Sequence, residues 1–210
     1  TRLTRQLDQQ RFGRGVGVVF GQVGKNKRRR LTQRLGTLRI GRKSGDFQVD
    51  ISDSASIRKL FEQTGKFDAL VCAAGNVTFA PLDEMTEESF TLGLKDKLMG
   101  QVNLLLVGRE FANDGASFTF TTGVLSHDPI RSGASAALVN GALDSFVRAA
   151  AIELPRGLRV NSISPNVLVE AMGKYAPYFR GFKPVLAADV ALAYAKSVEG
   201  LQTGQTFHIG

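Results

Sequence analysis

Between Gly133 and Pro165 the chain reads Gly-Ala-Ser-Ala-Ala-Leu-Val-Asn-Gly-Ala-Leu-Asp-Ser-Phe-Val-Arg-Ala-Ala-Ala-Ile-Glu-Leu-Pro-Arg-Gly-Leu-Arg-Val-Asn-Ser-Ile-Ser-Pro. A helix opens near Gly133, and Leu158 to Ser164 is read as a strand. Small residues at Ala134, Ala137, Gly141 and Ala149 to Ala151 permit close packing, within the fold or against a second copy.

Outward from that stretch, strand and helix patterns alternate regularly from residue 37 onward. Thr37 to Ile40 and Phe47 to Ile51 are short strand candidates, and Ser54 is expected to cap a helix running through Gln63. Asp68 to Ala74 is a continuous apolar run of the length of a central parallel strand, buried on both faces. Thr86, followed by Glu87 and Glu88, starts a long helix. It carries Phe90, Leu94, Leu98, Val102 and Leu105 at helical spacing and runs to about Ala112. Asn113-Asp-Gly115 reads as a turn and Ser117 to Thr122 as the next strand. Ala187 to Val198 is a helix and Thr206 to Ile209 a closing strand. Such alternation predicts an α/β fold, a doubly wound parallel sheet in three layers.

With 210 residues and 43% hydrophobic content, the chain suits one domain with a sizeable core. The single cysteine, Cys72, has no internal disulfide partner, and no apolar run reaches the roughly 18 to 20 residues that span a bilayer. A cytoplasmic setting with no membrane partner is the default expectation, and no metal site is assigned. The chain opens on Thr1 without a signal-peptide apolar core, which reads as a trimmed N-terminus. The net charge of +8 is unevenly spread: residues 1–43 hold thirteen Lys/Arg against one acid, and residues 44–210 hold fourteen against eighteen. A basic arm of this kind is able to bind nucleic acid through phosphate contacts. Its cluster from Lys25 to Arg30 lacks interleaved aromatics for base stacking, and a solvated charged face is the commoner explanation.

Gly17-Val-Val-Phe-Gly21-Gln-Val-Gly24, with Gly13 and Gly15 upstream, is the nearest candidate for a phosphate-binding turn. Glycines at such a turn let backbone N–H groups approach a pyrophosphate. Five glycines in twelve residues read equally well as a loop, and residues 25–36 put Lys and Arg where the buried face of a following helix should lie.

The stretch first quoted resembles the active-site helix and following strand of the short-chain dehydrogenase/reductase family, and the resemblance covers about residues 37 to 210. Gly41-Arg42 lies where a cofactor-selecting residue sits in that family. Asp50-Ile51 matches the Asp-Val that flanks the adenine, and Ala73-Ala74-Gly75 matches the end of its Asn-Asn-Ala-Gly turn, with Cys72 replacing an Asn. Arg159 to Pro165 and Thr203 to Gly210 match the late strand and the C-terminal strand. The resemblance implies a Rossmann-like fold, a nicotinamide dinucleotide held at these positions, a small-molecule substrate and a homo-oligomer, dimer or tetramer. A cation at Arg42 with no acid in its place suits NADP rather than NAD.

The family's catalytic set is altered. Where it has Tyr-x-x-x-Lys, this chain has Ala136 and Asn140. The family's Ser falls most nearly on Thr122, and its helix Asn falls on Lys97. Ala136 has nothing to protonate, which removes a proton donor worth about 100- to 10,000-fold in rate. Asn140 keeps the capacity to hydrogen-bond a ribose hydroxyl. Lys97, lowered towards neutrality by desolvation, is the first candidate for a substitute acid, ahead of His127, Tyr175 and Tyr178. Three functions follow: an NADP(H)-dependent oxidoreductase on a carbonyl or alcohol using Thr122, Lys97 and Asn140; a cofactor-binding sensor or structural protein without redox catalysis; and a nucleic-acid binder using the basic arm.

Overall fold

The structure is a computed structural model that describes residues 18–21 and 37–210. Its strands are β1 (Val18–Gly21), β2 (Thr37–Leu38), β3 (Ile40–Gly41), β4 (Phe47–Gln48), β5 (Phe67–Cys72), β6 (Ala112–Thr121), β7 (Arg159–Pro165) and β8 (Thr206–Ile209). Six of them form one sheet in the order β2-β1-β5-β6-β7-β8, and β3 pairs with β4 in a separate parallel ribbon. From β5 to β8 every pairing is parallel. The helices are α1 (Ser54–Thr64), α2 (Glu87–Gly93), α3 (Gly100–Gly108), α4 (Ala134–Glu153), α5 (Met172–Tyr175) and α6 (Ala187–Glu199).

Alternation along the strands sends side chains to two cores. On one face Leu70, Phe118, Phe120 and Val160 pack against Ile57, Leu60 and Phe61 of α1, Leu104 and Leu105 of α3, and Leu143 and Val147 of α4. Phe61 stacks on Phe67 and on Phe111 at 5.4 Å between ring centroids, and Phe67 meets Phe118 edge-on. On the other face Val71 and Ile163 pack against Val190, Ala191 and Tyr194 of α6. The sheet is thus covered by helices on both sides, as the alternation predicts. Among the described residues no helix is long and apolar enough to cross a membrane.

Several local expectations are corrected. Asp53, rather than Ser54, caps α1, because its carboxylate accepts from the Ala55 N–H at 2.9 Å. Asn113 to Gly115 do not turn the chain but bulge within β6. Ala112 and Ser117 pair with Phe67 and Ala69 of β5, and Gly115 absorbs the extra length at φ 76°. The strand expected over 37–40 breaks at Arg39 into β2 and β3, and that expected over 47–51 is only Phe47–Gln48. The helix expected from Thr86 to Ala112 ends at Gly108 and contains a π-helical stretch, Leu94–Met99, between α2 and α3.

The described part of the Gly-rich segment also departs from expectation. β1 runs antiparallel to β5, with Val18 opposite Cys72 and Gly21 opposite Ala69. Gly21 therefore lies towards the amino end of β5, away from Gly75 and from the strands' carboxyl ends, where ligands bind in parallel sheets. Gly17 and Gly24 lie outside the described residues.

Candidate functional site

Parallel strands expose their carboxyl ends to ligands, and here the chain leaving β5 does so through Ala73-Ala74-Gly75-Asn76. Gly75 adopts φ 124°, and a Cβ there would stand 2.6 Å from Lys97 Cα. Only glycine lets this strand end lie directly on the π-helical stretch. Gly100 is close in the same way, because a Cβ on it would meet Ile51 at 2.8 Å.

A π-helical turn widens the helix by one residue, and such turns are frequent at functional sites. Three polar side chains on and next to it reach back to the strand ends. Gln101, fully buried, donates to Ala74 O (3.2 Å) and Thr121 O (3.1 Å) and accepts from the Thr121 N–H (2.9 Å), which ties β5 to β6. Asp96, also buried, accepts from the Asn76 backbone N–H at 3.0 Å and from the Asn76 side chain. Neither Gln101 nor Asp96 was a candidate from the sequence. The glycines seven residues apart, Gly93 and Gly100, were the available sign of close approach.

Lys97 turns the other way. Its ammonium donates to Asn140 Oδ1 at 2.6 Å and to Thr122 O at 3.3 Å. The three candidates Lys97, Thr122 and Asn140 are therefore in one cluster. Thr122 touches Lys97 through its carbonyl. Its hydroxyl donates instead to Ile163 O at 3.4 Å across to β7 and is buried, so it does not face the cluster. Burial pushes the Lys97 amine down to about 8, opposed by the negative charge of Asp144. Asp144, one turn beyond Asn140 on α4, is buried and accepts from the Ser162 hydroxyl at 2.8 Å. An ammonium has three N–H donors and two are committed here, leaving one for a ligand. Cys72, beneath the cluster, is fully buried and its thiol is raised to about 12 by desolvation, so it is inert.

Beside this cluster lies a cleft of about 810 Å³ whose lining includes Arg42, Lys43, Ile51, Ala73 to Gly75, Leu168, Lys174 and Tyr175. Arg42 is committed within it: one guanidinium nitrogen donates to Asp50 at 2.7 Å and to Asp96 at 3.2 Å. Asp50 also accepts from the Ser52 hydroxyl and N–H, and these bonds together with Arg42 hold its carboxyl below the usual range. Pro165 ends β7 opposite Ile209 and is not part of the cleft wall.

The remaining candidates lie apart from Lys97. His127 packs edge-on against His208 at 4.5 Å between ring centroids. Tyr175 and Tyr178 pack on Phe79. Ala136, where the resemblance places a tyrosine, is buried among Leu125, Val167 and Phe179.

Comparison with known proteins adds four findings. Residues 9–202 match the family model described as enoyl-(acyl carrier protein) reductase. A crystal structure of the protein lin1944 from Listeria innocua is similar with 51% identity and a TM-score of 0.81, over 82% of this chain and 86% of that one. A small-chain dehydrogenase solved in complex with NADPH is similar at 26% identity and a TM-score of 0.69, over 77% of this chain and 80% of that one. The short-chain dehydrogenase/reductase ATR9 of Stachybotrys chlorohalonatus is 28% identical over 170 residues, 76% of this chain. The matches span 67% of that relative's length and 54% and 58% of the next two.

Proposed function

The chain belongs to the short-chain dehydrogenase/reductase family, and from that premise we propose that it is an NADP(H)-dependent oxidoreductase acting on a carbonyl or alcohol, with Lys97 as its acid and base. The observation that carries this reading is the half-buried Lys97, its ammonium bonded to Asn140 and Thr122 at the carboxyl ends of the strands and its amine brought to about 8 by desolvation.

The residues present fit a dinucleotide. The cleft is large enough at about 810 Å³, and its lining combines the small residues Ala73, Ala74 and Gly75 with the basic side chains of Arg42, Lys43 and Lys174. Arg42, Asp50, Ile51, Ala73, Ala74 and Gly75 would hold the cofactor, with Asn140 near the nicotinamide end through its contact with Lys97. The related dehydrogenase solved with NADPH supports NADP as the form bound. When bound, the cofactor supplies or accepts the hydride. Lys97 then gives its proton to the oxygen of a reduced carbonyl, or takes one from an alcohol. Asn140 Oδ1 and Thr122 O fix the ammonium, and Asp144 keeps its affinity for the proton from falling further. A pKa near 8 suits this work, because a group titrating near the working pH both gives and takes protons.

Compared with the family's tyrosine and lysine, the proton donor comes from the other helix: Lys97 stands where the resemblance puts an asparagine, and Asn140 where it puts the lysine. Turnover of NADPH with a panel of aldehydes and ketones tests the reading. Substrate-dependent oxidation is the expected result, and its absence across the panel would overturn it.

One observation favours a second reading, a cofactor-binding protein without redox catalysis. The space around Ala136 is filled by Leu125, Val167 and Phe179 rather than left open for a substrate. NADPH would then raise the melting temperature while no carbonyl was reduced.

The homo-oligomer also has a fitting surface. Leu92, Met99 and Leu106 are exposed along the helix over 87–108, and Leu138 and Ile152 on the adjoining α4. Apolar side chains grouped this way favour burial against a second copy. Light scattering is expected to give at least twice the mass of one chain, and Leu106→Glu with Leu138→Glu is expected to shift it towards the single chain.

A further inference from the structure

Lys97 has a second chemistry open to it, that of a nucleophile. A lysine drawn out of water is commonly kept as a cation by a carboxylate, yet among the described residues none lies within salt-bridge distance of Lys97. Its partners, Asn140 Oδ1 at 2.6 Å and Thr122 O at 3.3 Å, are neutral oxygens. They accept from an amine as they do from an ammonium, so both bonds survive loss of the proton.

The same two bonds orient the neutral amine. Its nitrogen carries Cε, two hydrogens and one lone pair, and with both hydrogens directed at Asn140 and Thr122 the lone pair takes the remaining tetrahedral position. The acceptors are themselves fixed. Asn140, buried on α4, donates from Nδ2 to Gly123 O at 3.5 Å, which keeps Oδ1 towards Lys97, and the Thr122 N–H donates to Ile163 O at 2.9 Å. Gly75 lies close against Lys97 Cα, Cβ and Cγ and holds the stem. The charges nearby leave the neutral form within reach. Asp144 on α4 favours the ammonium, Asp96 on the same helix is turned to Arg42 and Asn76, Cys72 on β5 stays a thiol, and desolvation brings the amine to about 8. At pH 7 about a tenth of it is then neutral, against about a thousandth or less of an ordinary lysine. Lysines of this kind form Schiff bases.

We propose that Lys97 is a covalent carbonyl-binding site, whose neutral amine forms an imine with an aldehyde or ketone at the carboxyl ends of the strands. The Lys97 lone pair attacks the carbonyl carbon and the C=O π pair moves to oxygen. One proton passes from nitrogen to that oxygen to give a carbinolamine, and protonation of the hydroxyl releases water as C=N forms. Ammonium and carbonyl thus become iminium and water, with no change of oxidation state and no cofactor. The single positive charge is kept, and with it the attraction of Asp144. The iminium has one N–H, which stays on Asn140, the nearer acceptor, while the longer bond to Thr122 O is given up.

Incubation of the full chain with propanal or benzaldehyde at pH 7 without NADPH, trapping by cyanoborohydride and peptide mass measurement test the proposal. Lys97 is expected to be alkylated at least about tenfold faster than the exposed Lys59 and Lys183, because its larger neutral share outweighs the lower nucleophilicity of a weaker base. Lys97→Arg and Lys97→Met are each expected to lose this fast label and keep the slow ones. Asp144→Asn removes the charge that favours the ammonium and is expected to speed labelling of Lys97 at pH 7. Labelling of Lys97 no faster than of Lys59 and Lys183, or slower labelling in Asp144→Asn, overturns the proposal. Fast labelling in a chain that oxidises no NADPH supports it while overturning the oxidoreductase reading. Carbonyl reduction without fast labelling does the reverse.

Discussion

Lys97→Met is expected to lower NADPH-dependent carbonyl reduction by about 100-fold or more in kcat while leaving NADPH binding nearly intact, because positioned proton transfer is worth about 100- to 10,000-fold. Methionine keeps the length and apolar body of the side chain and loses only the ammonium. Asn140 Oδ1 and Thr122 O lose a donor, at a cost of about 1 to 3 kcal/mol each, and the expense of a desolvated charge is removed at the same time. The fold is therefore expected to survive. The pH dependence carries a sign. With the amine at about 8, the ammonium needed for reduction is present below that pH, so reduction falls about tenfold per unit above it. Alcohol oxidation needs the neutral amine and rises through the same pH. Asp144→Asn removes the charge that supports the ammonium and is expected to move both profiles to lower pH. Profiles flat from pH 7 to 9, or an unchanged kcat in Lys97→Met, would remove Lys97 from the chemistry.

Gly75→Ala is expected to destabilise the fold by about 3 kcal/mol or more, from backbone strain of about 1 to 3 kcal/mol plus overpacking. The added Cβ meets Lys97 Cα at 2.6 Å, a backbone atom that yields only if the helix moves. For a domain of this length the melting temperature should fall by about 6 to 12 °C. Gly115→Ala separates strain from collision, since Gly115 also has positive φ (76°) but open space around it. It is expected to cost only about 1 kcal/mol. Thermal unfolding of the two variants decides the matter: equal losses would mean that the close approach of Gly75 to the helix is not what holds the cleft floor in place.

The layers of the fold were legible because burial writes a period into the chain. Ala69 to Ala74 is apolar throughout and supplies most of β5, Phe67–Cys72, enclosed by helices on both faces, while Leu143 and Val147 recur at helical spacing and face the core. The site was legible only in part. Lys97, Thr122 and Asn140 fall together because each sits at a fixed place on its own element, but the period gave no sign of Asp96 or Gln101. The spacing of Phe90, Leu94, Leu98, Val102 and Leu105 fits an unbroken α-helix. The π-helical stretch shifts the register within it, leaving Leu94 exposed and burying Asp96 and Gln101. Nothing in local propensity marks such an insertion, because its extra residue is retained by contacts with Ala74, Asn76 and Thr121, which are about 20 or more residues distant in the chain.

The sequence by itself determined the alternating strands and helices, the two-sided burial of the sheet and the absence of a tyrosine at Ala136, since these depend on residue type and period alone. The tertiary structure decided what the charges do. Arg42 became a link between Asp50 and Asp96, and Lys97 became a half-buried amine brought to about 8 beside Asn140. The physical reason is that a charge takes its behaviour from the groups and the solvent around it, and those are assembled only when distant segments pack.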